Sequence, residues 1–260
     1  MSRFCILMYH MVNEPETSKE ARYACPPSRF GSHMQALLQA GYKAVSPQEV
    51  ESHLRGEKSL PEKAVLVSID DGFMDNYENA FPILRQYRVP AIIFIATSRA
   101  GGHNDWMAGK DYPSRRMLTW EQIREMQAAG IHFGGHTMNH PHLSELDHDA
   151  ALAEIAGCKK ALEDELGPQA KWFAYPYGDL SEDTPGVVQE AGFDFACTTR
   201  SGFNQENTPP LLLRRLEIYG TDPAWKVLQK LRFGTNEASL LGPLRYYLGR
   251  IAARLLPKSA

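Results

Sequence analysis

The stretch Val65-Leu66-Val67-Ser68-Ile69-Asp70-Asp71-Gly72 decides how this chain is read. Ala64–Ile69 is mostly apolar, rich in β-branched residues and without polar alternation, the composition of a strand covered on both faces. Two adjacent carboxylates and a glycine follow at its carboxyl end, where parallel α/β folds place their sites. Successive side chains of a strand diverge, so Asp70 and Asp71 need not share a job. One can hold a metal while the other takes a proton. Taken alone, the pair has a plainer meaning, since Asp-Gly commonly marks a turn.

Outward from this stretch, short apolar runs alternate with helical patterns. Phe4–Tyr9 reads as a strand ending at His10, and further strands are expected over 91–96, 131–135, 172–175, 195–198 and 213–219. Helices are expected from Ser28 to Ala40, from Ser46-Pro47, over 76–87, from the capping box Thr119-Trp120-Glu121-Gln122 to Gly130, from Asp147 to Leu166, and from Ser181 to Ala191. Seven or eight such rounds imply a parallel sheet. The expected fold is an α/β barrel, closed or incomplete, with an open doubly wound sheet as the alternative. In the barrel, His10, Asp70, Asp71, His136, His140 and Tyr177 gather at one rim. The segments 11–27 and 97–118 read as loops near that rim, and the second is long enough to expect a function for it.

The 260 residues are 43% apolar and 23% charged with a net charge of −3, which suits one large domain or two small ones. So balanced a charge gives no footprint for nucleic acid. Cys5, Cys25, Cys158 and Cys197 form no CxxC pair and read as reduced thiols. The apolar stretch at the start is too short for a signal peptide, so a cytoplasmic location is expected. Residues 1–220 are read as the barrel and 221–260 as a helical extension. Within 240–256, Leu241, Leu244, Leu248, Ile251 and Leu255 form one stripe, and from Ala238 onward the charges are all basic. Such a helix either packs on the barrel or lies peripherally on an anionic inner membrane face.

The chemistry starts from His136 and His140, whose i, i+4 spacing lets both imidazoles reach one ion. His142 follows a proline and reads as supporting or exposed, and Thr137 stands where a zincin would carry glutamate. Adding Asp71 gives two nitrogens and one oxygen, an open three-ligand site of the kind that activates water. Zinc is the foremost candidate; cobalt, nickel or iron also fits. Asp70, left outside that ligand set, is placed to take the proton from water, and His10 to protonate the leaving group. A backbone N–H at Pro176-Tyr177-Gly178 could hold the oxyanion. Phe73, Trp106, Trp172, Tyr175 and Tyr177, with Pro176, are candidate walls for sugar rings.

The set Ser-Ile-Asp-Asp-Gly at 68–72, His-Thr-Met-Asn-His at 136–140 and Tyr-Pro-Tyr-Gly at 175–178 resembles the polysaccharide deacetylases, carbohydrate esterase family 4, also called the NodB homology domain. The resemblance covers roughly residues 4–220 and implies an α/β fold, a distorted, incomplete (β/α) barrel of about seven strands. It implies a metal-dependent hydrolase that removes N-acetyl groups, sometimes other acyl groups, from amino sugars of a polysaccharide, an oligosaccharide or a lipid-linked sugar precursor, the last suiting a site at the membrane face. Asp70 would be the base, Asp71, His136 and His140 the metal ligands, and the Tyr177 N–H the oxyanion contact. The opening Leu-Met-Tyr-His resembles a subgroup whose acidic histidine lies near the N-terminus, which makes His10 the general acid. One departure stands out. Ala174 occupies the place of the arginine that normally partners the base, and Arg214 or Arg215 is expected to replace it, Arg214 reading the more readily as a solvated residue. Two other readings stay open: a metallohydrolase of another C–N bond, in a formamide or cyclic amide, and an inactive carbohydrate-binding barrel.

Overall fold

Eight strands form one sheet: β1 (Phe4–Tyr9), β2 (Lys43–Ala44), β3 (Ala64–Ile69), β4 (Ala91–Ile95), β5 (His132–Gly135), β6 (Trp172–Ala174), β7 (Phe195–Cys197) and β8 (Leu216–Glu217). The structure is a computed structural model and describes residues 3–168 and 170–239. Seven strands follow one another as β7-β6-β5-β4-β3-β1-β8, with β2 beside β3. All their ladders are parallel. The result is a curled half-barrel, the incomplete barrel that the resemblance implies rather than a closed one. β1 and β3 are in register along their full length, from Phe4 opposite Ala64 to Tyr9 opposite Ile69.

The expected strand over 213–219 is regular only at β8. Leu213 instead bridges to Cys197 at the edge of β7, while Leu216 and Glu217 pair with β1. One short segment therefore touches both edges of the curl and carries Arg215 across the gap.

Helices α1 (Pro27–Gln39), α2 (Pro47–Leu54), α3 (Phe81–Tyr87), α4 (Trp120–Ala128), α5 (His148–Leu166), α6 (Thr184–Glu190) and α7 (Ala224–Phe233) connect or flank the strands. Ser46, Thr119 and Asp147 cap their helices through the side chain, as their spacing predicts. Two starts differ from expectation. α1 begins at Pro27, so Ser28 lies inside its first turn, where fixed proline φ substitutes for a side-chain cap. α6 begins at Thr184; Ser181 exchanges hydrogen bonds with Thr184 one turn ahead of it. Before α3, Asn76–Ala80 form a wider π-helical turn.

The strand pleat sorts side chains into two layers. Phe4, Ile6, Leu66, Ile92, Phe94, Trp172 and Ala174 meet in one cluster inside the curl. Their neighbours Cys5, Leu7, Val65, Val67, Ile93 and Phe173 meet the helices in the other, larger one. Gly134 keeps the interior open, because a Cβ there would lie 2.7 Å from the Phe94 ring and the Trp172 carbonyl. Trp172 is floor rather than rim. It stacks on Phe195 and donates to Glu51, three residues before the end of its run, so it is no part of the expected sugar wall.

α7 packs Val227 and Leu231 into the larger cluster with Phe30 and Met34 of α1. Beneath it, His33 lies between the Tyr9 hydroxyl (3.2 Å) and the Asp222 carbonyl (2.8 Å). Burial pushes the His33 pKa down to about 4. The basic stripe over 240–256 falls outside the described residues. Among the described residues, no helix is long and apolar enough to cross a membrane.

Candidate active site

The two-residue period that builds the floor also builds the site. On β3 the inward positions 64 and 66 continue to Ser68 and Asp70; on β1, 4 and 6 continue to Met8 and His10. Beyond Gly134 comes His136, and beyond Leu213 come Arg215 and Glu217. Met8, His10, Asp70, His136 and Glu217 all line one cavity of about 420 Å³ at the carboxyl ends of the strands.

Asp71 breaks this parity, since the next side chain of an extended strand points outward. Its φ of +76° turns the backbone into the left-handed region and brings the carboxylate back to the cavity. Gly72, at φ +81°, continues the bend with its Cα against Ile95, where a Cβ would lie 2.6 Å from the Ile95 side chain. Of the seven non-glycine residues with positive φ among the described residues, Asp71, Thr137, His140 and Tyr177 belong to the rim of this site.

Asp71 Oδ1 lies 3.3 Å from His136 Nε2 and 3.3 Å from His140 Nε2, and the two nitrogens are 3.1 Å apart. All three residues are buried. The Ala174 carbonyl accepts from His136 Nδ1 at 2.7 Å, so His136 presents the lone pair of Nε2 to this point. These three groups could hold a metal ion, and one carboxylate with two imidazoles is a donor set that suits zinc or a similar divalent ion. Burial drives the Asp71 pKa upward, but the two histidines beside it outweigh that and leave it well below the usual carboxylate range. Burial lowers the His140 pKa, which favours the neutral ligand form.

The loop that carries these histidines is anchored by Glu154 on α5. Its carboxylate accepts from the Met138 N–H (3.0 Å), the Asn139 N–H (2.9 Å) and Asn139 Nδ2 (2.7 Å). The His140 N–H donates to Thr137 Oγ1 at 2.9 Å. The His140 ring stacks on Trp106 at 4.7 Å and meets the edge of Tyr177 at 4.5 Å.

Asp70 is held differently. Arg215, fully buried, donates to both its oxygens, Nη1 to Oδ1 at 2.6 Å and Nη2 to Oδ2 at 2.7 Å. The Thr198 carbonyl accepts from Arg215 Nε at 3.0 Å, and the Phe94 ring lies beneath the guanidinium. Burial raises the Asp70 pKa, and the Arg215 charge and its hydrogen bonds more than reverse that. Arg214 points to the surface, against Gly202.

His10 and Tyr177 line the cavity too, with Phe73, Trp106 and Tyr175. The His10 ring meets Tyr23 edge-on at 5.1 Å. His142 stacks on Tyr177 at 3.9 Å, outside the cavity and half-exposed. Pro176 is buried in the turn and does not reach the cavity wall. The sequence reading missed Arg22, Tyr23, Lys110, Tyr112 and Glu217, which line the wall with Met11, Met107 and Thr199. The first four come from the two loops near the rim. Those loops are tied by Arg115, whose Nε and Nη2 each donate at 2.7 Å to the buried Glu20 carboxylate.

Residues 57–196 match the family model for polysaccharide deacetylases. The chain belongs to the polysaccharide deacetylase family. It is 30% identical over 213 residues to the protein YxkH of Bacillus subtilis, covering 82% of this chain and 70% of that one. It is 26% identical to the poly-β-1,6-N-acetyl-D-glucosamine N-deacetylase of Staphylococcus aureus, over 85% of this chain and 76% of the other. Among solved structures it resembles the Streptococcus pyogenes deacetylase PplD in complex with acetate, with a TM-score of 0.75 at 27% identity, over 88% and 98% of the two chains. The barrel of this family is the fold described above.

Proposed function

We propose that this protein is a metal-dependent hydrolase that removes N-acetyl groups from the amino sugars of a glycan. The observation that carries the reading is the division of labour between neighbours. Asp70 is clamped on both oxygens by Arg215, while Asp71 faces two imidazoles in the same cavity. A divalent cation held by Asp71, His136 and His140, zinc foremost, would acidify water and polarise the acetyl carbonyl. Asp70, ionised and fixed in direction, accepts the proton of the attacking water. The Tyr177 N–H steadies the charge that develops on the carbonyl oxygen. His10 protonates the departing amine. Trp106, Phe73 and Tyr177 offer apolar faces for the pyranose ring. The name of the Staphylococcus aureus relative favours poly-N-acetylglucosamine as the substrate class, and the acetate in complex with PplD suits the expected product.

Acetate release from N-acetylglucosamine oligomers, measured beside metal content, tests the reading. Asp70→Asn should lose roughly 10²–10⁴-fold in rate while keeping its metal, and Asp71→Asn should lose the metal. The opposite pattern, or faster turnover of formamides or cyclic amides than of acetamides, would overturn it.

A further inference from the structure

We propose that Asp75, Asn76 and Asn79, on the turn that follows the carboxylate pair, are positioning residues for His10. His10 lies just past the last ladder residue of β1, and Met11 beside it bridges to Ala24. Three side chains of the 75–79 turn hold the His10 carbonyl and both backbone groups of Val12. Asn76 Nδ2 donates to the His10 carbonyl at 3.0 Å. Asp75 Oδ1 accepts the Val12 N–H at 2.8 Å, and Asn79 Nδ2 donates to the Val12 carbonyl at 2.9 Å. Asn76 Nδ2 also donates to Asp75 Oδ1 at 2.9 Å, which joins the contacts into one network. Asp75 and Asn76 are buried, and Asn76 Oδ1 has no hydrogen-bond partner, so the donors of this amide are what the position uses.

The geometry follows from the turn. Asn76 and Asn79 are three apart on the π-helical turn Asn76–Ala80 and reach the two ends of one three-residue segment. That turn grows directly from Asp70-Asp71-Gly72. A single short piece of chain thus carries the base, a metal ligand and the grip on the acid, and it sets the separation of base and acid across the substrate.

This inference rests on His10 acting as the acid. In that step the C–N bond breaks with its electron pair going to nitrogen, which takes the proton of His10. The acyl carbon keeps the oxygen delivered by water and leaves as acetate. A displaced His10 should therefore slow amides, whose nitrogen needs a proton to depart. It should spare aryl acetates, whose phenolate leaves without one.

The experiment compares N-acetylglucosamine oligomers with 4-nitrophenyl acetate for wild type, His10→Ala, Asn79→Ala and Asn76→Ala, with bound metal measured in each. His10→Ala should lose roughly 10²–10⁴-fold on the amide and far less on the ester. Asn79→Ala and Asn76→Ala should show the same selectivity with about 10²-fold loss in kcat, little change in KM and unchanged metal content. Equal loss on both substrates, no loss, or loss of metal in the turn variants would overturn the assignment. If His10→Ala itself slows both substrates alike, it is the reading of His10 as the acid that fails.

Discussion

Replacing Arg215 with methionine keeps most of the side-chain volume and removes the guanidinium, so Asp70 stays buried with no opposing charge in hydrogen-bond contact. Leaving one partner of a buried ion pair alone costs about 3–5 kcal/mol. In a chain of this size each kcal/mol moves the melting temperature by about 2–4 °C, so Arg215→Met should melt roughly 10 °C or more below wild type. Its acetate release should fall by about 10²-fold or more, because the base loses both its orientation and its charge partner. The double variant Asp70→Asn/Arg215→Met separates the pair from simple loss of packing. Removing both charges should restore most of the stability, with a coupling of about 2 kcal/mol in urea denaturation. Arg215→Lys should regain part of the stability and little activity, since an ammonium cannot reproduce the two parallel bonds. If the two single losses add within about 0.5 kcal/mol, the two side chains are not energetically paired and the argument fails.

Zinc at a thousand times its dissociation constant should raise unfolding stability by about 4 kcal/mol, and Asp71→Asn or His136→Ala should abolish that gain in a thermal-shift titration. Glu154→Gln removes the carboxylate that three loop donors share, and should weaken zinc retention against a competing chelator by about 10–100-fold while the fold persists. Two buried groups should oppose each other with pH. Burial raises the Asp75 pKa from 3.8 to about 7, so its contribution is full below the unfolded value and is lost as pH rises through 7, about 4 kcal/mol in all. Burial lowers the His33 pKa from 6.5 to about 4, so its contribution is full above 6.5 and is lost as pH falls through 4, about 3 kcal/mol. Relative to wild type, Asp75→Asn should gain stability steadily from pH 4 to 7, and His33→Gln should lose it. Parallel difference curves would contradict both assignments.

Much of the frame was legible because the strands are buried on both faces. β1, β3 and β4 announce themselves as unbroken apolar runs, and Ser46, Thr119 and Asp147 mark helix starts by side-chain chemistry that works locally. The metal-ligand candidates were legible from strand ends and spacing. The partner of Asp70 was narrowed only to Arg214 or Arg215, because that choice depends on the pleat of a segment 145 residues away. Parity decides it once Leu213 is known to face the floor. Of the loop walls, the sequence marks the place near the rim and Trp106 but not Tyr23 or Lys110, whose loops are tied by an ion pair, Arg115 with Glu20, that joins positions 95 residues apart. Trp172 was misplaced because an aromatic in a short strand shows its layer but not its height along the barrel.

The left-handed residues at the rim have a consequence for how this protein can change. A non-glycine residue held in that conformation costs about 1–2 kcal/mol, and four of them together rival the margin by which a domain of ordinary stability stays folded. A laboratory population bred for heat tolerance alone would therefore drift toward glycine or asparagine at 71, 137, 140 and 177, and its members would outlast their parent while losing hydrolysis. Even Thr137, which lends no atom to the metal-ligand set, could not be traded freely, because its hydroxyl receives the His140 amide.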